Sequence, residues 1–182
     1  MSARTRTRGL PGLRGGDHVG ITVPDLEQAT SFLVDVLGAE RFFDLGPMES
    51  DTDWMNVHLG VPADARVERL RFFRLGHGLN LEVFQYDAPA QRRDPPANSD
   101  IGGHHIALFV DDFDTALDYL YESGVDVMGE PTARTSGPNA GQTWIYFRAP
   151  WGLQFELVSY PRGKAYERDT ERRLWDPRTP AN

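Results

Sequence analysis

The chain has 182 residues, 40% of them hydrophobic and 25% charged, which is enough to bury a core and is ordinary for a globular protein. No apolar run approaches the roughly 18 residues that span a bilayer, and the absence of cysteine excludes disulfides, thiolate metal sites and a cysteine nucleophile while fitting a reducing cytoplasm. The first 16 residues hold four arginines and no acid, so the net charge of −8 leaves −12 on the rest, a balance that disfavours nucleic acid.

Residues 1–16, MSARTRTRGLPGLRGG, are basic but lack the apolar stretch of a secretory signal, and read as a flexible tail. HVGITVPDLEQATSFL (18–33) follows: His18, six alternating residues, then a helical period through Leu26, Ala29, Leu33 and Val36. Asp25 stands at the N-cap position and Gly38 at the stop. VERLRFFRL (67–75) and GLNLEVFQY (78–86) read as strands, and QYDAPAQRRDPPANSDIGG (85–103) as a Pro-rich joint.

The pattern then repeats. HIALFVDDFDTALDYL (105–120) aligns without gaps on 18–33, with Asp112 and Gly124 as its cap and stop. TWIYFRA (143–149) and GLQFELVSY (152–160) match the later strands. The chain therefore states strand, helix and about three strands twice: a first module at 17–86, a linker at 87–103, a second module at 104–160 and an extension at 161–182. KAYERDTERRL in the extension predicts a short charged helix, with Leu174 and Trp175 as anchors for this chain or a partner.

Alternation assigns faces. Val19, Ile21 and Val23, Leu79, Leu81 and Val83, Ile106, Leu108 and Val110, and Leu153, Phe155 and Leu157 belong under the helices. The other face carries His18, Glu82, His105 and Glu156 in matching registers. His104 aligns with Asp17 instead and reads as a structural or rim residue, while His58 and His77 read as loop or turn residues. Two carboxylates amid apolar strand residues are costly unless paired or ligated. No lysine or arginine shares their face of these four strands. A divalent cation bound by the two imidazoles and two carboxylates resolves the cost; Zn, Ni, Co, Mn and Fe all suit such donors.

The signatures HVGITVPD, LEVF, HIALFVDD and LQFELV resemble those of the vicinal oxygen chelate superfamily, which includes glyoxalases, bleomycin-resistance proteins and extradiol dioxygenases. The resemblance covers about residues 16–160 and implies an α+β fold: two βαβββ modules forming a curved eight-stranded mixed sheet around a metal site. It implies His18, Glu82, His105 and Glu156 as metal ligands, Glu82 and Glu156 as acid and base, a small-molecule substrate and a homodimer. DWMNVHLGV (53–61), TSGPNAGQTWIYFRAPWGLQFELVSYPRGKAYE and LWDPR further resemble a bacterial subgroup containing 2-epi-5-epi-valiolone epimerases. That likeness implies a metal-dependent epimerase of a C7-cyclitol 2-hydroxyketone, acting through proton abstraction and a metal-chelated enediolate.

Two other readings exist within the superfamily. A glyoxalase-type lyase or Fe(II) extradiol dioxygenase would use the same face, although four protein ligands leave an octahedral ion too few positions for both a chelating substrate and O₂. A metal-free drug-binding resistance protein would rely on aromatic lining such as Phe42, Phe43, Trp54, Trp144 and Tyr146. Glu68 on the third strand resembles a position that carries the base in related epimerases; otherwise it is a surface residue beside Arg69. GGDHVG and GGHHIA precede strands rather than helices, so they are turns and not phosphate cradles.

Overall fold

A computed structural model describes residues 10–180; most of the sequence-predicted N-terminal tail lies outside them. The first module runs β1 (Val19–Thr22), α1 (Leu26–Ser31), β2 (Glu40–Leu45), α2 (Trp54–Leu59), β3 (Arg66–Leu75) and β4 (Leu79–Asp87). The second runs β5 (His105–Phe109), α3 (Phe113–Glu122), β6 (Asp126–Ala133), β7 (Thr143–Arg148) and β8 (Gln154–Ser159). Each module forms its own mixed sheet, in the orders β1-β4-β3-β2 and β5-β8-β7-β6. Among the described residues there are thus two four-stranded sheets, and the single eight-stranded sheet implied by the resemblance is not formed. Among the described residues the edges of β1 and β5 stay unpaired, so no strand pairing joins the two sheets.

Local chemistry explains the helices. The Asp25 carboxylate accepts from the backbone N–H groups of Glu27 and Gln28, and Asp112 accepts from that of Thr115, capping α1 and α3. Gly38 and Gly124 end the helical stretches at φ of 72° and 70°, where a side chain would be strained. Between Ser31 and Gly38 the helix loosens to a π turn, Phe32–Val36, in which Leu37 N–H donates to the Phe32 carbonyl. The extra turn keeps Phe32 and Leu33 buried. Phe32 meets Trp151 edge-on at 5.7 Å and Phe155 at 6.1 Å.

Those contacts merge the helix-covered faces of both sheets into one core, with Leu26, Leu33, Phe73, Leu81 and Val83 from one module and Phe113, Leu117, Phe147, Phe155 and Leu157 from the other. The opposite faces are left outside this core. On the first of them α2 lays Met55 over Val67 and Leu70 as a small second core. The connection between β2 and β3 therefore contains a helix, and His58 lies on it, stacked on Trp54 at 4.7 Å rather than in a loop.

Arg71 is fully buried beneath α1. Its guanidinium forks onto both Asp44 oxygens at 2.7 Å and also reaches Glu27 and Thr30. The extension forms one 3-10 turn, Ala165–Arg168, in place of the longer helix that its charge pattern suggests. Trp175 comes to rest against Gly78 of this same chain, where an added Cβ would meet the indole at 3.6 Å.

Candidate metal centre and active site

Both modules build the same small device. Gly20 pairs with Glu82 across the parallel β1–β4 ladder, and Ala107 with Glu156 across β5–β8. In each case the histidine lies two residues before the paired position, on the same face as the glutamate. His18 Nε2 is 3.1 Å from Glu82 Oε2, and His105 Nε2 is 3.1 Å from Glu156 Oε2. The third strand adds an aromatic opposite each glutamate, Phe72 facing Glu82 and Tyr146 facing Glu156. His18 stands edge-on to Phe72 at 5.8 Å and His105 to Tyr146 at 5.1 Å.

Sequence alternation pairs these residues correctly within modules but says nothing of what stands behind the rings. His18 Nδ1 meets the Asp17 carboxylate at 2.7 Å. His105 Nδ1 lies 3.4 Å from the Asn98 side-chain amide, contributed by the linker. With Nδ1 engaged, each Nε2 is aimed at its glutamate. The Asp17 hydrogen bond is the main reason that His18 holds its proton to higher pH than an ordinary imidazole, with Glu82 adding to it and desolvation opposing it. Glu156 is the more enclosed carboxylate, and burial pushes it above the usual glutamate range against the pull of His105 and Lys164.

The donor set suits a divalent ion. Two ligand atoms 3.1 Å apart match neighbouring positions on a cation with bonds of about 2.1 Å, which lie about 3 Å apart. A nitrogen lone pair facing a carboxylate oxygen needs a cation between them, whether proton or metal. Yet among the described residues no three histidine or acidic side chains gather to hold one ion. The chain brings His18 to Glu82 and His105 to Glu156, but does not bring the two pairs together. The merged core explains this, since it lies behind the faces that carry the pairs.

The remaining candidates resolve individually. His104 turns back, its Nδ1 against the Gly102 carbonyl at 3.0 Å, and lines a cleft between the linker and β1. His77 is exposed in the β3–β4 turn. Glu68 lies where the β3–β4 register shifts, between Val67 and Arg69. There it accepts from the Gln85 amide, whose own oxygen caps the Leu26 N–H at the start of α1. Glu68 therefore belongs to the helix side and not to the histidine face. Trp144 and Tyr146 pack at 5.0 Å beside His105, and Phe43 packs on Phe72 at 4.8 Å, while Phe42 lies under Arg74.

Residues 17–147 match the family described as the Glyoxalase/Bleomycin resistance protein/Dioxygenase superfamily. The chain is 48% identical over 171 residues to a 2-epi-5-epi-valiolone epimerase of an Actinomyces species, covering 93% of this chain and 92% of that one. Its fold is similar to a glyoxalase family protein from Bacillus cereus, with TM-score 0.61 and 20% identity over 83% of this chain and 98% of that one. It is also similar to the fosfomycin resistance protein FosX from Listeria monocytogenes, solved with Mn(II) and sulfate, with TM-score 0.51 and 21% identity over 87% and 99% of the two chains. Near-full-length identity at this level extends to the class of reaction, which makes the chain an enzyme of the epimerase/isomerase type. The chain belongs to the Glyoxalase/Bleomycin resistance protein/Dioxygenase superfamily.

Proposed function

We propose that this enzyme is a divalent-metal-dependent epimerase of a cyclic 2-hydroxyketone, a C7 cyclitol such as 2-epi-5-epi-valiolone. The carrying observation is the duplicated His–Glu pair, each with its donors 3.1 Å apart on an aromatic-floored face. The near-full-length relative supplies the substrate class. A bound divalent ion would polarise the ketone and make the neighbouring C–H acidic. His18 and His105 would hold it through Nε2, with Glu82 and Glu156 completing the set.

The side chains then account for inversion. Epimerisation removes a proton from one face of a carbon and returns one to the other, so it needs two groups on opposite sides. Glu82 and Glu156 come from different modules and supply both. Burial raises the proton affinity of Glu156 above that of an ordinary glutamate, which suits a proton-accepting role.

Because each module offers only half a ligand set, the complete site forms between two copies: His18 and Glu82 of one with His105 and Glu156 of the other. The unpaired edges of β1 and β5 and the exposed Val19, Phe42, Phe43 and Leu45 are the surface such a dimer would cover.

Hydron exchange at the ketone α-carbon in D₂O, followed by NMR, tests the activity. Exchange with inversion is expected with metal and none with chelator; chelator-insensitive exchange overturns the metal role. Mixing tests the sharing. Two inactive variants, His18→Ala and His105→Ala, should regain about a quarter of wild-type activity when co-refolded, because half the dimers are mixed and each of these keeps one intact site. No recovery would place every ligand set within one chain.

A further inference from the structure

Of 19 basic side chains, one is a lysine: Lys164. It lies outside both repeats, in the extension, yet the fold returns it to the second site face. Glu156 and Val158 lie on the same side of β8, and Tyr160, one residue past its end, continues that side against Phe109 at 4.9 Å. The Lys164 ammonium lies 4.2 Å from the centroid of the buried Tyr160 ring.

A second cation, Arg178, touches the same ring at 5.2 Å, but its charge is matched. Its guanidinium forks onto Asp176 and Glu167 at 2.6–3.1 Å. Lys164 has no carboxylate within ion-pair distance among the described residues. Its charge nevertheless reaches Glu156 and favours the ionised carboxylate there.

The turn that carries Lys164 is clamped. Gly163 turns at φ 80°, and its N–H donates to the Tyr160 carbonyl at 2.8 Å. Ala165 N–H donates to the Ala140 carbonyl and Tyr166 N–H to that of Pro138, both at 2.9 Å. Gly141 allows the close approach, since a Cβ there would lie 2.7 Å from the Gly163 oxygen. The Lys164 N–H is itself held by Glu167 at 2.8 Å. A merely solubilising lysine needs no such mounting.

Four residue steps of extended chain lead from Glu156 to Tyr160, about 13 Å. The Tyr160 ring over which the ammonium lies is therefore farther along the strand from Glu156 than one six-membered ring is wide. We propose that Lys164 is a substrate-binding residue, whose ammonium donates to a ring hydroxyl of a polyhydroxylated cyclic ketone on the side away from the reacting oxygens. This deepens, and rests on, the epimerase reading above. The residue type fits: a compact charge with three rotatable donors serves single hydroxyl oxygens, whereas an arginine fork matches carboxylates and phosphates. The chain uses arginine everywhere else.

A sole lysine permits a selective test. Metal-loaded enzyme is acetylated with an amine-specific ester, and modification of Lys164 is followed by peptide mass spectrometry. With 2-epi-5-epi-valiolone held at about ten times its Kd, acetylation should slow about tenfold. In parallel, Lys164→Met should lower the preference in kcat/KM for that ketone over 2-hydroxycyclohexanone, which lacks the distal hydroxyls, by about tenfold or more, mainly through KM and with metal content unchanged. If exchange at the ketone proceeds while Lys164 reacts at its unliganded rate, or if the preference is unmoved, this inference alone falls. If the wild-type enzyme supports no exchange on the ketone, the epimerase reading falls and takes this one with it.

Discussion

Asp17 and Asn98 occupy corresponding stations behind the two imidazoles, one charged and one neutral. Such partners fix the ring and its tautomer, and replacing them weakens metal binding by about 10–100-fold in comparable sites. Asp17→Asn should therefore lower metal affinity by about that range, measured by competition with a chromophoric chelator. The same hydrogen bond raises the proton affinity of His18, so protons compete with metal in a definite direction. Metal uptake releases a proton, and affinity should fall as pH drops through the raised His18 value, a decline that begins above the ordinary 6.5. Glu68 gives the opposite expectation. Its carboxylate is committed to Gln85 on the helix side, so Glu68→Gln should leave hydron exchange intact, whereas Glu156→Gln should abolish it. Glu68 could not be placed from sequence because the irregularity between Val67 and Arg69 breaks the alternation that fixes a face.

At the scale of elements, the first module depends on an ion cluster built around one buried arginine. Arg71 is 1% exposed, and Asp44 and Glu27 are its counter-charges. Removing one partner of such a cluster strands a charge and costs about 3–5 kcal/mol. With Glu27 and Thr30 still in contact, Asp44→Asn should sit at the low end, about 3 kcal/mol, in denaturant unfolding. The hydrogen bonds from Arg71 are the chief cause that holds both Asp44 and Glu27 below their ordinary values of 3.8 and 4.5. Their contribution is complete above those values and is lost as pH falls through the depressed ones. Thermal stability should thus decline below about pH 4.5, and less steeply in Arg71→Met. Phe32 joins the two modules; Phe32→Ala should cost about 3 kcal/mol or more as the inter-module core opens. Strand faces, caps and helix stops were legible because alternation and capping act over a few residues. The π turn and the buried Arg71 were not, because each answers to a neighbour distant in sequence.

At the scale of the molecule, what separates expectation from structure is which backs meet. The registers of His18, Glu82, His105 and Glu156 follow from local pattern, and the pairs form as the pattern demands. Their convergence on one ion does not follow, because it depends on how two finished modules dock. Docking is set by apolar residues such as Phe32, Trp151 and Phe155, whose composition says that they are buried but not against what. The repeat pattern marks neither Lys164 nor Asp17 as a site residue, for related reasons. One lies past the second module, and the other sits just before β1 begins. The single lysine in the composition was the available clue to the first. Sedimentation should give a particle of twice the 20.5 kDa chain mass, with the exposed Val19, Phe43 and Leu45 protected from hydroxyl-radical footprinting only in that particle.

On the proposal that two copies share each site, the outward-facing half-sites also make catalysis a second-order property of the polypeptide. Where protomers separate, output per chain must drop on dilution, steeply below the dissociation constant, even though every polypeptide remains folded. An ion that bridges both partners would hold them together, so stripping it should shift sedimentation toward the lighter species, and the cellular supply of that ion would then regulate assembly and turnover through a single equilibrium.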